Sequence, residues 1–593
     1  MKTTWWGQAG LLALFVAAVS ARGASAQTFE QVTPDIPAAE DSAPLPLPGL
    51  PDGADDDAVL VDALRGLVFV AKPADIQAGG VRTRGIDTGG LDLLAEPDMR
   101  SALKGFLGRP VSLALLDEVV THVIGTYRDA GRPFVDVVVP EQDITSGSIQ
   151  VLVLEFVAGE VRVSGETRLP SEDLRGQMRV RRGGPLDART LEDDLDWLNR
   201  PMFRRVELTL EPGADFGETD IVLDVEESRP WRIYAGMDNT GSRATGHERY
   251  FIGGNAAHVL ADDALLSYQY LSSRELVNDG RLPFGLTDEK PAYLAHSVDY
   301  RVPFADRSEL SVFGFYAESR PNLSGPFRST GESFQASLRY HFPRRRWGQV
   351  KHQWSVGADF KRTNNDLGFG GTTVSSAKTD VLQAVFGWNA AMRDDQGTSS
   401  LGATLFLSPG GVTAFNDDRD YRPSATAVGR SNADARYAAL RVDLARQHDL
   451  IDDVYLSGRV SAQTATTNLL PSEQIYAGGV RSVRGFEDNE AAGDHGVVAN
   501  LELRGPTLSV LDGLTGVPDA FQAYLFVDRG DVWLDDPAPG ETLRRSLMSA
   551  GVGFSYRFGP YVSADVAHGA QITGRDNNRA ESSRTHVRVS VSF

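Results

Sequence analysis

From Trp231 to Phe593 apolar and polar residues alternate with a period of two. Phe334, Ala336, Leu338, Tyr340 and Phe342 are interleaved with Gln335, Ser337, Arg339 and His341; Val587, Val589, Val591 and Phe593 are interleaved with His586, Arg588, Ser590 and Ser592. Successive side chains of a strand point to opposite faces, so the pattern predicts strands with one greasy and one polar side. In a soluble sandwich the greasy side meets a second sheet. In a membrane barrel it meets lipid, and the polar side lines a lumen. The lengths favour the barrel: about 16 strands can be laid out, many of about 10 residues, enough for a tilted strand to cross a bilayer. Short connections, Ala305-Asp306-Arg307 and Phe558-Gly559, alternate with long polar ones near Ser273 to Lys290, Asn364 to Ser376, Pro409 to Asn432 and Thr466 to Asp494. That asymmetry predicts short periplasmic turns and long outer loops. An even strand count brings Phe593 back to the side on which the N-terminal part must lie.

Upstream the period changes. Leu67 to Val70 reads as a strand and Asp98 to Leu107 as a short helix. Ser112 is placed to cap a longer helix with an apolar stripe of Leu113, Leu116, Val120, Val123 and Ile124. Gly131 and Pro133 end it, and Val135 to Val139 with Ser148 to Leu154 predict a hairpin. The order β-α-α-β-β recurs: Glu160 to Val163, helices near Ser171 to Met178 and Asp187 to Leu198, then Phe203 to Leu210 and Thr219 to Val225. The two units, 59–156 and 157–228, are tandem modules in front of a barrel at 229–593. Their short hairpins offer strand edges, which bind extended polypeptides by adding a strand. Before them, 27–58 is rich in proline and acid and reads as an extended linker or tail. Residues 1–26 carry Lys2, an apolar run from Leu11 to Val19 and Ala24-Ser25-Ala26, the features of a cleaved secretory signal.

Composition narrows the function. The 593 residues include no cysteine, which excludes disulfides, thiol catalysis and thiolate metal sites. A net charge of −21 argues against a nucleic-acid surface, which needs a basic field. Mean hydropathy is −0.24 and no later apolar run reaches helix-spanning length, which excludes a helical membrane protein and leaves the barrel open.

The sequence holds no metalloprotease, phosphate-loop, dinucleotide or nucleophile-elbow motif, so no enzyme activity and no cofactor is expected. Ser375 to Lys378 fits a Ser-x-x-Lys pattern but stands in a polar connection without partner motifs. The ten histidines show no metal spacing. Glu487, Asp488, Glu490 and Asp494 lack the ordered spacing of a calcium loop and read as a solvated acidic loop.

The stretch from Tyr476 to Phe486 carries Gly478, Gly479 and Gly485 with Arg481 and Arg484. By itself it is either a glycine-bearing hairpin turn or a fixed functional loop. In the barrel layout it falls in the sixth of about eight outer loops, spanning about 466–493.

At this point a resemblance becomes specific. Gln142-Asp143-Ile144 with Gly147, Leu198-Asn199-Arg200, and Glu211-Pro212-Gly213 before Thr219-Asp220 resemble the paired POTRA domains of two-partner secretion transporters, the ShlB/FhaC/HecB haemolysin secretion/activation family. Asp238, Asn239, Gly241, Thr245 and Gly246 resemble that family's first strand and outer loop. Val483-Arg484-Gly485-Phe486 resembles the Val-Arg-Gly-Tyr signature of the wider outer-membrane assembly superfamily, with Phe for Tyr. Phe526-Val527-Asp528-Arg529-Gly530 resembles its Phe-x-Asp-x-Gly strand motif.

The resemblance implies a barrel of about 16 strands in the outer membrane behind two periplasmic POTRA domains. It implies that Arg484 folds into the lumen and pairs with Asp528 beside Gly530, and that Phe593 is the terminal aromatic read by the barrel assembly machinery. It further implies a monomer in outer-membrane lipid that exports a secreted TpsA-type exoprotein without ATP. An assembly factor for other barrels and a solute porin with accessory domains are the alternatives.

Overall fold

A computed structural model of the chain describes residues 32–37, 45, 56–275, 291–321, 327–369, 372–423, 429–451, 453–574 and 581–593. The signal reading of 1–26 and most of 27–58 lie outside them. The chain forms two compact units, one of residues up to Ile36 together with Trp231–Phe593 and one of Pro37–Pro230.

The Pro37–Pro230 unit contains two α/β modules. In the first, β1 (Gly66–Val70), β2 (Gly85–Asp87), β3 (Val135–Val138) and β4 (Ser148–Glu155) form a sheet in the order β2-β1-β4-β3. The Ser112 hydroxyl accepts from the Leu115 amide at 3.2 Å and starts the helix Leu113–Asp129. Leu115 and Val119 join Leu116, Val120, Val123 and Ile124 in the core, whereas Leu113, expected on the stripe, is exposed. The buried face is centred on Val119 and Val123, and Leu113 stands at its margin in the first turn. β2 escapes the period-two pattern because it is only three residues long. In the second module β5 (Val157–Glu166) runs parallel to β7 (Glu218–Glu227), which pairs antiparallel with β6 (Arg204–Pro212). Its helices are Ser171–Gln177 and Ala188–Leu198, the latter capped by Asp187 accepting from Thr190 N–H at 2.6 Å. Leu45 is buried in this second core.

Both modules use one device at the positions that carry the family wording. The Gln142 amide accepts from Gln150 N–H at 2.7 Å and donates to Gln150 C=O at 2.8 Å. The Asn199 amide does the same with Val206, at 2.6 and 3.0 Å. Each side chain thus satisfies both backbone groups of one strand residue, a task only a carboxamide of the right length performs.

The second unit is a closed antiparallel barrel. Its strands are β8 (Trp231–Asp238), β9 (Arg249–Ala257), β10 (Leu265–Ser273), β11 (Tyr293–Pro303), β12 (Glu309–Ser319), β13 (Phe327–His341), β15 (Val350–Phe369), β16 (Thr372–Asp394), β17 (Gly397–Pro409), β18 (Arg436–Ile451) and β19 (Val454–Ala465). The ring is completed by β22 (His495–Arg504), β23 (Asp519–Trp533), β24 (Arg544–Phe558), β25 (Val562–Thr573) and β26 (Ser583–Ser592), which closes on β8. A three-residue β14 (Arg345–Trp347) folds back on β15, so the wall has sixteen spanning strands. Alternation sets the two faces: Phe334 and Leu338 are 42% and 49% exposed, whereas Gln335 and Ser337 are 9% and 8% exposed. The closing seam is short, running from Asn239 beside Val587 through Asp238 against Arg588 and Tyr234 against Ser592 to Ile233 against Phe593.

Two expectations change here. The span Asn364 to Ser376 is not a polar loop: β15 and β16 continue as a paired hairpin through Phe369 and Thr372. Threonines, serines and asparagines pair as strands once their backbone partners lie alongside, so polarity alone misjudged them. The stretch 27–58 is also more than a linker, because residues 32–36 lie among inward-facing side chains of the barrel. Val32 is buried against Tyr234, Phe251, Leu271 and Tyr293, and Asp35 N–H donates to the Tyr234 hydroxyl at 2.8 Å. Residues 33–37 are not helical.

Candidate functional site

Between β19 and β22 the sixth outer loop does not extend away from the barrel. Its small hairpin, β20 (Ile475–Ala477) with β21 (Ala491–Gly493), is buried against the inner wall through Ile475, Ala477, Val483, Phe486 and Ala491, which pack on Val498, Val532 and Leu547. On β23, Leu525 and Val527 are 56% and 43% exposed and face lipid. Tyr524, Phe526, Asp528 and Gly530 therefore face the lumen, where the first three are buried.

Arg484 meets this inward row. Its Nε donates to Asp528 Oδ2 at 2.7 Å, its Nη2 to Oδ1 at 2.7 Å, and its own backbone N–H to Oδ2 at 3.0 Å. Nη1 donates to Glu502 Oε1 on β22 at 2.5 Å. The guanidinium lies 3.7 Å from the centre of the Phe526 ring. Asn500 donates to the free edge of Asp528 Oδ1 at 2.8 Å and also bonds the Ser482 carbonyl. A bidentate fork stacked on an aromatic is the arrangement in which arginine is most strongly held. Asp528 is fully buried and Arg484 is 5% exposed, so removing either would strand a charge, at a cost of about 3–5 kcal/mol.

The motif residues around the pair are spacing requirements. A Cβ on Gly530 would stand 2.7 Å from Ala477 Cβ and 2.9 Å from Val483 Cγ2. Phe526, Asp528 and Gly530 thus stack on, pair with and make room for the same loop. Gly485 has φ +88° and packs against Gly569 of β25, whose own Cβ would meet the Gly485 nitrogen at 2.8 Å. Its N–H donates to His586 Nε2 at 3.2 Å and its carbonyl accepts from Gln571 at 2.7 Å. Phe486 is 2% exposed in the apolar cluster, a place that does not require the tyrosine hydroxyl.

The first-loop residues serve the seam and the loop's own shape. Asp238 Oδ1 accepts from the Thr240 N–H at 3.1 Å and hydroxyl at 2.6 Å. Asn239 prolongs the β8–β26 seam: its side chain donates to Thr585 C=O at 2.7 Å and accepts from Val587 N–H at 3.0 Å. Arg249 fills the loop, donating to Thr245 Oγ1 at 2.7 Å and Gly246 C=O at 2.8 Å, while a Cβ on Gly241 would strike the Gly246 carbonyl at 2.1 Å. Arg243 of this first loop reaches Glu487 of the sixth at 2.6 Å, so the two motif-bearing loops touch. Phe593 pairs with Ile233 through both backbone groups, at 2.9 and 3.1 Å, and its ring is exposed.

The acidic cluster differs from its expectation. Glu487 pairs with Arg243 and Arg584, Glu490 with Arg545 and Asp494 with Arg430. Asp494 also takes the Leu469 amide at 2.8 Å and Gln474 at 2.9 Å. These acids are loop staples rather than solvated charges, because their arginines come from other loops (Arg243, Arg430) and from barrel strands (Arg545 of β24, Arg584 of β26) and are invisible in the local sequence. Asp488 is the exception: burial pushes its carboxyl up to about 7, and Asp238 adds to this against the pull of Arg584, Arg481 and Arg249. Among the described residues no group of histidines and acids could hold a metal ion. The Ser-x-x-Lys pattern lies on β16. Sequence reading also missed Glu502, Asn500, Gln571 and His586, inward residues whose polarity looks like ordinary lumen lining.

A cavity of about 590 Å³ borders the loop; Asp359, Lys361, Tyr437, Arg441, Glu473 and Thr33 are among its lining residues, and it extends to Ser482 and Asn500 beside the Arg484–Asp528 pair.

Comparison with known proteins agrees with this architecture. The profile described as haemolysin secretion/activation protein ShlB/FhaC/HecB matches residues 217–556, and that of the ShlB-type POTRA domain matches 81–155. The chain is 24% identical over 482 residues to outer membrane transporter CdiB-2 of Burkholderia pseudomallei, covering 78% of this chain and 75% of that protein. It is 22% identical over 484 residues to the heme/hemopexin transporter protein HuxB of Haemophilus influenzae, covering 77% and 78%. The solved structure of CdiB from Escherichia coli superposes with a TM-score of 0.69 at 18% identity, over 93% of this chain and 94% of that one.

Proposed function

The chain belongs to the haemolysin secretion/activation family ShlB/FhaC/HecB, and on that premise we propose how it works as an exporter. It is a two-partner secretion transporter of the outer membrane, with its POTRA modules in the periplasm and a secreted TpsA-type protein as its partner. The modules capture the unfolded partner by adding it as a strand to a sheet edge, for which the outer strands β3 and β6 are suited. The barrel passes the chain outward. Progress comes from binding inside and folding outside, which makes diffusion directional.

The observation that carries the gating part is the burial of Arg484 against Asp528 in a loop that occupies the lumen. A lumen so filled cannot pass a polypeptide, and the ion pair fixes where the filling sits. The first loop, tied to the sixth through Arg243 and Glu487, holds the outer end of the same assembly. The test is Arg484→Ala in cells that carry the chain together with its neighbouring reading frames. Export is expected to fall severely while the barrel keeps its folded electrophoretic mobility. Undiminished export from a folded barrel would remove the gating role, and absence of any exported polypeptide from the unaltered chain would remove the exporter reading.

A further inference from the structure

The sixth loop is fixed to the lumen wall at two places that differ in construction. One is the Arg484 end, on β22 and β23 with Gly485 reaching β25 and β26. The other is Glu473, which lies between two apolar anchors. Upstream, Leu469 and Leu470 are buried against Val381, Tyr437 and Ala439; downstream, Ile475 is buried against Val498 and Val532. The strap from Pro471 to Gln474 therefore crosses from one wall to the other.

Midway, the Glu473 carboxylate receives Lys361 Nζ of β15 on both oxygens, at 2.8 and 3.0 Å, and Gln383 of β16 at 3.2 Å. Gln383 in turn bonds Asp359 at 3.0 Å and Tyr437 at 2.8 Å, and Asp359 takes Arg339 at 2.7 Å. In the ring β16 and β26 are diametrically placed, so the loop is pinned at opposite sides of the lumen.

We infer that Lys361 and Glu473 form the releasable latch of this loop, a pair of positioning residues that parts during export while the Arg484 end stays docked as the pivot. The inference rests on the exporter reading above. Two contrasts carry it. Arg484 is a planar fork shared by two carboxylates and stacked on a ring, whereas Lys361 is a point charge on a flexible stem facing one carboxylate of the loop. The Arg484 end is closed by glycine-only clearances at Gly530, Gly485 and Gly569. Lys361 and Glu473 instead line the cavity of about 590 Å³ themselves, whereas Arg484 and Asp528 do not, so both latch charges can be solvated or handed to neighbours as they separate, with Asp359 two positions from Lys361 on the same inward face. Lifting the strap would merge that cavity with the space the strap now crosses.

The chain has no cysteine, so a lock can be placed cleanly. Lys361→Cys/Glu473→Cys in the full chain, bridged by a reducible bis-thiol reagent, is expected to suppress channel openings in planar bilayers, with potassium chloride as the probe ion, and reductant is expected to restore them. Glu473→Gln is expected to raise opening frequency severalfold over the unaltered chain, and the swap Lys361→Glu/Glu473→Lys to bring it back. Openings unaffected by the closed bridge, or unchanged by Glu473→Gln, would overturn the latch. Comparing polypeptides in the medium of cells with and without the chain separates the two ideas: responsive openings without an exported polypeptide would defeat the exporter reading and leave the latch standing.

Discussion

The two walls that grip the sixth loop are made from opposite materials. The wall of β22 to β26 uses glycines, an aromatic ring and two carboxylates to receive one arginine of the loop, and the loop touches it without room for a methyl group. The wall of β13 to β18 uses a dispersed polar set, Arg339, Asp359, Lys361, Gln383 and Tyr437, beside a cavity. Close packing concentrates its requirements into short runs of residues, because each glycine or aromatic must stand at a fixed spacing from the next. A polar network needs only compatible groups in reach, so its members scatter along the chain. The first kind of wall leaves motifs and the second does not.

The sharpest way to break this contrast is Asp528→Ala. It leaves the Arg484 guanidinium with Glu502 alone in a buried site, at an expected cost of about 3–5 kcal/mol. The loop should become accessible to added protease in intact cells while the barrel stays folded; a loop that remains protected would show that the pair is not what holds it. Next comes Gly530→Val, whose added methyls meet Ala477 and Val483 and should cost about 1–3 kcal/mol by overpacking. Val483→Ala in the same chain should recover part of that loss, and a thermal midpoint that does not recover would mean that the glycine serves the strand rather than the loop. On the other wall, Gln383→Leu strips one partner each from Asp359, Glu473 and Tyr437, yet the cavity can supply water. A loss of about 1 kcal/mol in thermal unfolding is expected, and a loss as large as that of Asp528→Ala would erase the distinction between the walls.

Asp488 gives the docking of the loop a pH dependence. Its carboxyl is raised in the folded loop from about 4 to about 7, so the docked loop holds a proton that the undocked chain releases. Docking should therefore be strongest at the acid end, weaken as pH rises from about 4 through about 7, and level off above. Protease accessibility of the loop measured across that range should follow this curve, and Asp488→Asn should flatten it. An unchanged curve in the variant would place the titration elsewhere.

The same contrast explains what could be read beforehand. Strand alternation such as Phe334 to Phe342, the Ser112 cap and the long-short rhythm of connections reported the barrel and the modules, because each is a local consequence of period or turn chemistry. The proximity of Arg484 to Asp528 was legible only through resemblance, since 44 positions separate them and no local rule spans that distance. Glu473 and Lys361 left no trace: a lysine on an inward strand position and a glutamate in a loop both look solvated until the fold brings them together across 112 positions. Residues 32–36 were misjudged for a related reason. Pro34 argues against a helix there but says nothing against an extended segment lodged beside Tyr234.

The barrel's closing joint has a mechanical consequence. The β8–β26 seam spans only Ile233 to Asn239, whereas β15 and β16 are paired over nearly their whole length, and Asn239 adds side-chain bonds at the end of the short ladder. A hoop under lateral load yields where its overlap is least. Membrane tension and thermal undulation will therefore be taken up at this joint, leaving the stiffer arc around β15 and β16 nearly undeformed, so the ring has a soft meridian and a rigid one.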